Sequence, residues 1–284
     1  MSNLQVGIRL HDMEPTSLEN RLALAKEQGF SCIHLASKII YKEYGIDRHG
    51  LTPGLAAHIR RECEKNNLNI AIYGCYLNLA NPDQTQLNEI IEEYKANMRF
   101  AHWLGSPLLG TETGCPNTTY SFCPEAHEEE ALVYFLKNLK TVVDYAQHYS
   151  VTIAIEPVWK HIIYNPKRAR LALDFISSPH LKLIFDPVNM LWEGNHTDQK
   201  VIFHEMLERN SSDIALLHAK DYTIENGTLT PCAPGSAGNL DYTEILHWQR
   251  TCAPFLQATI ENSTPENAVD SAYSWNLFKG EFIL

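Results

Sequence analysis

Four short apolar segments in the second half of the chain end on residues able to bind a cation or move a proton. Glu156 closes VTIAIE, Asp186 closes LKLIFD, His218 closes DIALLH and Glu261 closes LQATIE. The intervals of 30, 32 and 43 residues each suit one strand with its return helix, so the four ends are expected side by side. Three carboxylates around one imidazole in a half-buried mouth repel one another by several kcal/mol unless protons or a cation compensate. A divalent metal is the economical answer, with Glu156, Asp186, His218 and Glu261 as its ligands. Oxygen donors with a single His and no Cys favour Mn²⁺ first, then Mg²⁺ or Co²⁺, while Zn²⁺ and Fe²⁺ fit the same ligand types.

Other polar residues are expected around the same mouth as substrate-binding groups. Lys220 stands two residues after His218, on the same side of an extended strand, where it would bind an oxyanion or form an ion pair with Asp221 or Asp186. Glu112 ends a further segment, SPLLGTE, and suits a substrate hydroxyl, a neighbouring His or a strand-end cap. Trp159 follows Glu156 on a loop and either offers an aromatic face to substrate C–H groups or packs against its neighbours. Asn189 lies close to Asp186 and suits a substrate oxygen or a helix cap. The Gly/Pro-rich stretch PCAPGSAGNLDY from Pro231 offers backbone amides to an anion or forms an ordinary turn. His11 and His34 fall near the ends of the first two apolar segments and are read as hydrogen-bonded wall residues.

Positioning these groups requires a repeating scaffold. Eight β-rich runs start at Leu4, Ser31, Asn69, Ser106, Val151, Leu181, Asp213 and Leu256. Segments with helical periodicity separate them, among them SLENRLALAKEQGF, GLAAHIRRECEKNN, NEIIEEYKANMRFAHWLG and EEEALVYFLKNLKTVVDYAQHYS. Ser17 or Thr16 suits the first helix as cap, and Gly29 and Gly105 fall where glycines end helices. Strand and helix alternating eight times, at about 35 residues per unit, is the arithmetic of a (β/α)8 TIM barrel in the α/β class. A doubly wound open sheet usually carries a Gly-rich phosphate loop after its first strand, and none follows Leu10. No Pro/Gly/Ser linker divides the chain, so residues 1–284 are read as one domain.

Composition bounds the partners. The 284 residues are 44% hydrophobic and 20% charged, with a formal net charge of −11, which fits a globular protein and opposes broad phosphate-backbone binding, so nucleic acid is not expected. The seven cysteines form no CxxC pair and read as reduced thiols. The N-terminal stretch turns polar too early for a signal peptide, and no apolar run of about 18 residues is present to span a bilayer. A cytoplasmic protein with no membrane partner is expected.

In IEPVWK from Ile155, FDPVNM from Phe185, HAKD from His218 and TIEN from Thr259, the sequence resembles the xylose isomerase-like (β/α)8 superfamily, which includes sugar isomerases, ketose 3-epimerases, inosose dehydratase and apurinic endonuclease IV. PCAPGSAGNLDY is similar to that superfamily's PGxGxxDY loop, which helps cover the site. The resemblance implies that Glu156, Asp186, His218 and Glu261 hold one divalent ion, that Glu156 and Glu261 form the acid/base pair, and that the chain assembles as a dimer or tetramer. Ketose 3-epimerases place a substrate-binding Glu, His and Arg where this chain has Ile162, Asn189 and Ile224, which argues against activity on free ketoses.

The chemistry expected is therefore carbohydrate metabolism. A metal-dependent isomerase or epimerase would abstract a proton next to the carbonyl of a sugar or polyol derivative, through a metal-stabilised enediolate. A keto-sugar or keto-inositol dehydratase would use the same site and intermediate. A non-catalytic carbohydrate-binding barrel and an abasic-site endonuclease are the more distant readings, opposed by the converging carboxylates and by the acidic charge.

Overall fold

A computed structural model describes residues 5–280 of the chain. Leu4, where the first expected strand begins, and both ends of the 1–284 span lie outside the described residues. The strands are β1 (Val6–Arg9), β2 (Cys32–Ala36), β3 (Asn69–Gly74), β4 (Leu108–Glu112), β5 (Thr152–Glu156), β6 (Leu181–Phe185), β7 (Ile214–Ala219), β8 (Asp221–Glu225), β9 (Thr228–Cys232) and β10 (Ala258–Ile260). Eight of them close a wholly parallel barrel in the order β1-β10-β7-β6-β5-β4-β3-β2. These eight are the segments expected from the sequence.

The helices are α1 (Leu18–Glu27), α2 (Ser37–Tyr44), α3 (Pro53–Lys65), α4 (Gln84–Leu104), α5 (Glu129–His148), α6 (Pro166–Ile176), α7 (Gln199–Asn210), α8 (Thr243–Cys252) and α9 (Ala268–Gly280). Ser17 caps α1, its hydroxyl accepting the Asn20 N–H at 3.2 Å, which satisfies an otherwise orphaned donor. Gly105 ends α4 at φ +71°, a conformation that glycine adopts without steric cost.

Alternation along each strand sorts its side chains. On β5, Ile153 and Ile155 belong to the large core between strands and helices, while Ala154 packs with Ile72, Leu108, Ile184 and Leu216 in a smaller cluster that fills the barrel. Glu156 follows Ala154 in the same phase, so burying the isoleucines outward obliges the carboxylate to face the mouth. Gly7 takes the matching inward position on β1. A Cβ there would lie 2.5 Å from the Cys32 carbonyl oxygen, so Gly7→Ala forces two staves apart. Overpacking of this kind costs about 1–3 kcal/mol, to be read as a lowered denaturation midpoint with unchanged slope.

β8 and β9 form an antiparallel hairpin outside the barrel, pairing Asp221 with Cys232 through Glu225 with Thr228. Asn226 and Gly227 turn it with φ of +52° and +78°, the conformation of a type I′ turn. Among the described residues no helix is long and apolar enough to cross a membrane.

Candidate active site

At the carboxyl ends of the staves lies a cavity of about 480 Å³ whose wall includes Arg9, His34, Tyr76, Glu112, Glu156, Asn189, Lys220 and Glu261. Each polar group continues the inward phase of its strand: Gly7 leads to Arg9, Cys32 to His34, Gly110 to Glu112, Ala154 to Glu156, Ile184 to Asp186, Leu216 to His218 and Thr259 to Glu261. Asp186 and His218 are buried behind this lining, 0% and 1% exposed.

The four residues expected to act together are brought together. His218 Nδ1 lies 3.3 Å from Glu156 Oε2, 3.3 Å from Glu261 Oε1 and 4.0 Å from Asp186 Oδ2. Neither nitrogen of His218 has a hydrogen-bond partner. Buried polar atoms are rarely left so. Donors that each sit about 2.1 Å from one ion are themselves roughly 3.0–3.4 Å apart, so the contacts around His218 fit a bound cation. Two overlapping triads, Glu156 with Asp186 and His218, and His34 with His218 and Glu261, have ligating atoms within 4.8 Å of one another. A mixed oxygen and imidazole set of this kind suits a divalent metal.

The chain also supplies its own cations. Lys220 Nζ lies 2.6 Å from Asp186 Oδ2 and 3.0 Å from Glu261 Oε2, so the lysine makes the ion pair with Asp186 rather than with Asp221. Arg9, which the sequence reading passed over, donates to Glu261 Oε2 at 2.8 Å and grips Asp12 through two further nitrogens. Its signal was present in the strand phase, since Arg9 ends the first apolar run one residue pair beyond Gly7.

These contacts set the charges. Burial pushes Glu156 up, but His218 and Lys220 outweigh it and hold the carboxyl down at about 2. The same burial is overcome at Glu261 by His218, Lys220 and Arg9, which keep it well below the usual carboxylate range. Burial dominates at Asp186, where Lys220 offsets it only in part and Glu156 and Glu261 add to it, raising the group to about 6. At Glu112 burial and the charge of Glu156 raise the carboxyl to about 7. Tyr120 donates to Glu112 at 3.2 Å, and His161, lowered to about 4 by burial, stands 3.8 Å away.

Asn189 donates its amide to Glu156 Oε1 at 2.5 Å, and Asp186 Oδ1 accepts the backbone N–H groups of Val188 and Asn189. Trp159 is not part of the carboxylate cavity. It lines a neighbouring aromatic cavity of about 590 Å³ with Phe122 and Trp192, its ring 5.5 Å from that of Trp192. The loop from Pro231 does not present all its amides outward. Asp221 accepts the N–H groups of Tyr222, Ala237, Gly238, Asn239 and Leu240, so the anion those amides hold is the chain's own. Tyr242 then brackets Lys220, donating to its carbonyl at 2.6 Å and accepting its N–H at 2.9 Å. Asp221→Ala strands five donors and is expected to cost about 3 kcal/mol in urea unfolding; an unchanged midpoint would remove Asp221 as the loop's anchor.

A closed barrel with ionisable residues at the carboxyl ends of its staves defines a class of protein, and the family within that class is established by sequence. Residues 22–248 match the model of the xylose isomerase-like TIM barrel, and the chain belongs to that family. The match contains Glu156, Asp186 and His218, while Arg9 and Glu261 lie on the flanking staves. None of the curated protein sequences matches the chain. Among solved structures, the IOLI protein with a bound zinc atom is similar at 18% identity and a TM-score of 0.76, covering 99% of this chain and 100% of that one. The 3-keto-D-glucoside 4-epimerase YcjR of E. coli is similar at 14% identity and a TM-score of 0.74, covering 96% and 99%. The probable 3-DHS dehydratase AsbF of Bacillus anthracis is similar at 13% identity and a TM-score of 0.75, covering 98% and 100%. At these identities the likeness is one of fold. The family and these neighbours consist mostly of enzymes.

Proposed function

We propose that the chain is a divalent-metal-dependent isomerase or epimerase of a sugar or polyol derivative, working by proton abstraction next to a carbonyl. The observation that carries this reading is the buried His218 imidazole, which faces three carboxylates at 3.3–4.0 Å with no hydrogen bond to any of them. Glu156, Asp186, His218 and Glu261 would hold the ion, Mn²⁺ first among the candidates. A divalent cation there supplies Lewis acidity, polarising the substrate carbonyl and lowering the cost of charge that develops as the C–H bond breaks.

Glu156 and Glu261 line the cavity and are assigned the proton transfers. One carboxylate takes the proton from carbon, and the same or the other returns it. Return to the adjacent carbon is isomerisation, and return to the opposite face is epimerisation. Glu112, Asn189 and Lys220 border the same space and would orient substrate oxygens, while a group projecting from the mouth would meet Trp159 in the aromatic cavity. The same reading places the protein in the cytoplasm, where its thiols stay reduced, as a homodimer or homotetramer acting on a small molecule.

Dehydration of a keto-sugar or keto-inositol is the second reading, favoured by Glu112. A carboxyl raised to about 7 keeps its proton near neutrality and can donate it to a departing hydroxyl. Such a donor works below that value and is lost above it, so a dehydration rate would fall as pH rises through about 7, and Glu112→Gln would flatten the fall. Turnover of a ketose and keto-inositol panel in deuterated water with added Mn²⁺ separates the outcomes. Isomerisation places deuterium at C1 or C2, epimerisation at one stereocentre, and dehydration releases water. No exchange on any substrate with any of the five metals would overturn the assignment.

A further inference from the structure

We infer that His34 is a positioning residue for Glu261, presenting an Nδ1–H to its Oε1, and that the Tyr76 hydroxyl completes this tautomer by donating to Nε2. The inference rests on the proposed reading of Glu261 as a ligand and proton carrier. His34 occupies the inward phase of β2, beside Arg9 in the register of β1 and β2, and is 1% exposed. Its Nδ1 lies 3.3 Å from Glu261 Oε1 and its Nε2 lies 3.0 Å from the Tyr76 hydroxyl.

A neutral imidazole has one N–H and one lone pair. If Nε2 carried the proton, the Nδ1 lone pair would point at a charged oxygen in a site of low dielectric, a repulsive arrangement. With Tyr76 donating to Nε2, the proton sits on Nδ1 and faces an atom that only accepts. The contact to Glu261 is long and poorly aligned, as such hydrogen bonds often are before a ligand draws the groups together.

Three features hold the pair in place. The His34 ring lies 5.4 Å from that of His218 at an interplanar angle of 15°. His11 packs edge-on against the His34 ring at 5.9 Å. Gly74 makes room for the pair, because a Cβ there would lie 2.8 Å from His34 Nε2 and 2.5 Å from Tyr76 Cε2. Glu261 is then fixed at both oxygens, Oε2 by Arg9 and Lys220 and Oε1 by His34. A partner that orients a ligating side chain commonly matters to metal affinity nearly as much as the ligand does.

The direct test is the tautomer of His34 in ¹⁵N-labelled full-length protein, read from long-range ¹H–¹⁵N spectra with and without Zn²⁺ and assigned by the signal lost in His34→Asn. The inference expects a protonated Nδ1 and an unprotonated Nε2 in both states; a proton on Nε2, or displacement of the Nδ1 proton by Zn²⁺, overturns it. Zn²⁺ titration provides the second arm. His34→Asn, whose amide nitrogen takes the place of Nδ1, should bind within about threefold of the parent, whereas His34→Leu should lose about 10–100-fold. Equal affinity in both variants overturns the inference, and the tautomer decides it if the leucine variant does not fold. Parent protein that fails to bind Zn²⁺ removes the reading of Glu261 as a ligand and this inference with it, whereas binding with the other tautomer removes only the inference.

Discussion

Glu156→Gln should reduce turnover by about 10²–10⁴-fold, the usual contribution of a positioned general acid or base, while leaving the fold in place. The substitution is close to isosteric, and the amide oxygen still accepts the Asn189 N–H that now reaches Oε1 at 2.5 Å. The charge and the basicity are lost, and with them part of the hold on the ion. Glu261→Gln should lose turnover to a similar degree and also weaken the protein, because Arg9 and Lys220 both lean on that carboxylate. Stopped assays with matched circular dichroism and melting curves separate the two effects. Near-normal turnover in both variants would take these residues out of the mechanism.

The second large effect is on stability. Lys220 is 4% exposed and stands between Asp186 and Glu261 at 2.6 and 3.0 Å. Lys220→Met keeps most of the side-chain volume but leaves buried Asp186 without its cation, beside a Glu261 then held by Arg9 alone. Removing one member of a buried ion pair costs about 3–5 kcal/mol, and the metal-free protein should lose that much in guanidinium unfolding. A ligand that binds only the folded state restores stability in proportion to the logarithm of its concentration over its Kd. Because Lys220 competes for the carboxylates the ion would use, Mn²⁺ should bind the variant more tightly than the parent and narrow the gap between them. A gap that is small without metal, or that metal leaves untouched, would mean that Lys220 and the cation do not share the carboxylates.

The barrel was legible because its eight staves are short, apolar and evenly spaced, and because each helix between them repeats at a different period. The mouth was legible on β5, β6, β7 and β10, where a carboxylate or imidazole interrupts an otherwise apolar run. Arg9 escaped because an arginine at the end of a strand looks like an ordinary surface residue; only the closure of β1 against β10 brings it to Glu261, 252 positions away in sequence. His34 was read as a wall residue, and its approach to Glu261 arises from neighbouring staves that no local pattern reports. The hairpin was signalled by Asn226-Gly227 between β-rich runs, a cue that the count of eight staves passed over. Asp221 was treated as a possible partner of Lys220, whereas its acceptor capacity is taken up by the Tyr222 amide beside it and by four backbone amides of a loop 16 to 19 residues away. Trp159 was drawn toward the substrate by its closeness to Glu156 in sequence, yet the loop turns its ring to Phe122 and Trp192.

A cation shared by the last staves of the barrel is the premise on which the chemistry depends, and metal analysis of active protein tests it most directly. Elemental analysis alongside turnover should find one divalent ion per chain, lost together with activity on chelation, restored together on adding Mn²⁺, and absent from Asp186→Ala. Full turnover by protein stripped of every divalent ion would contradict the account.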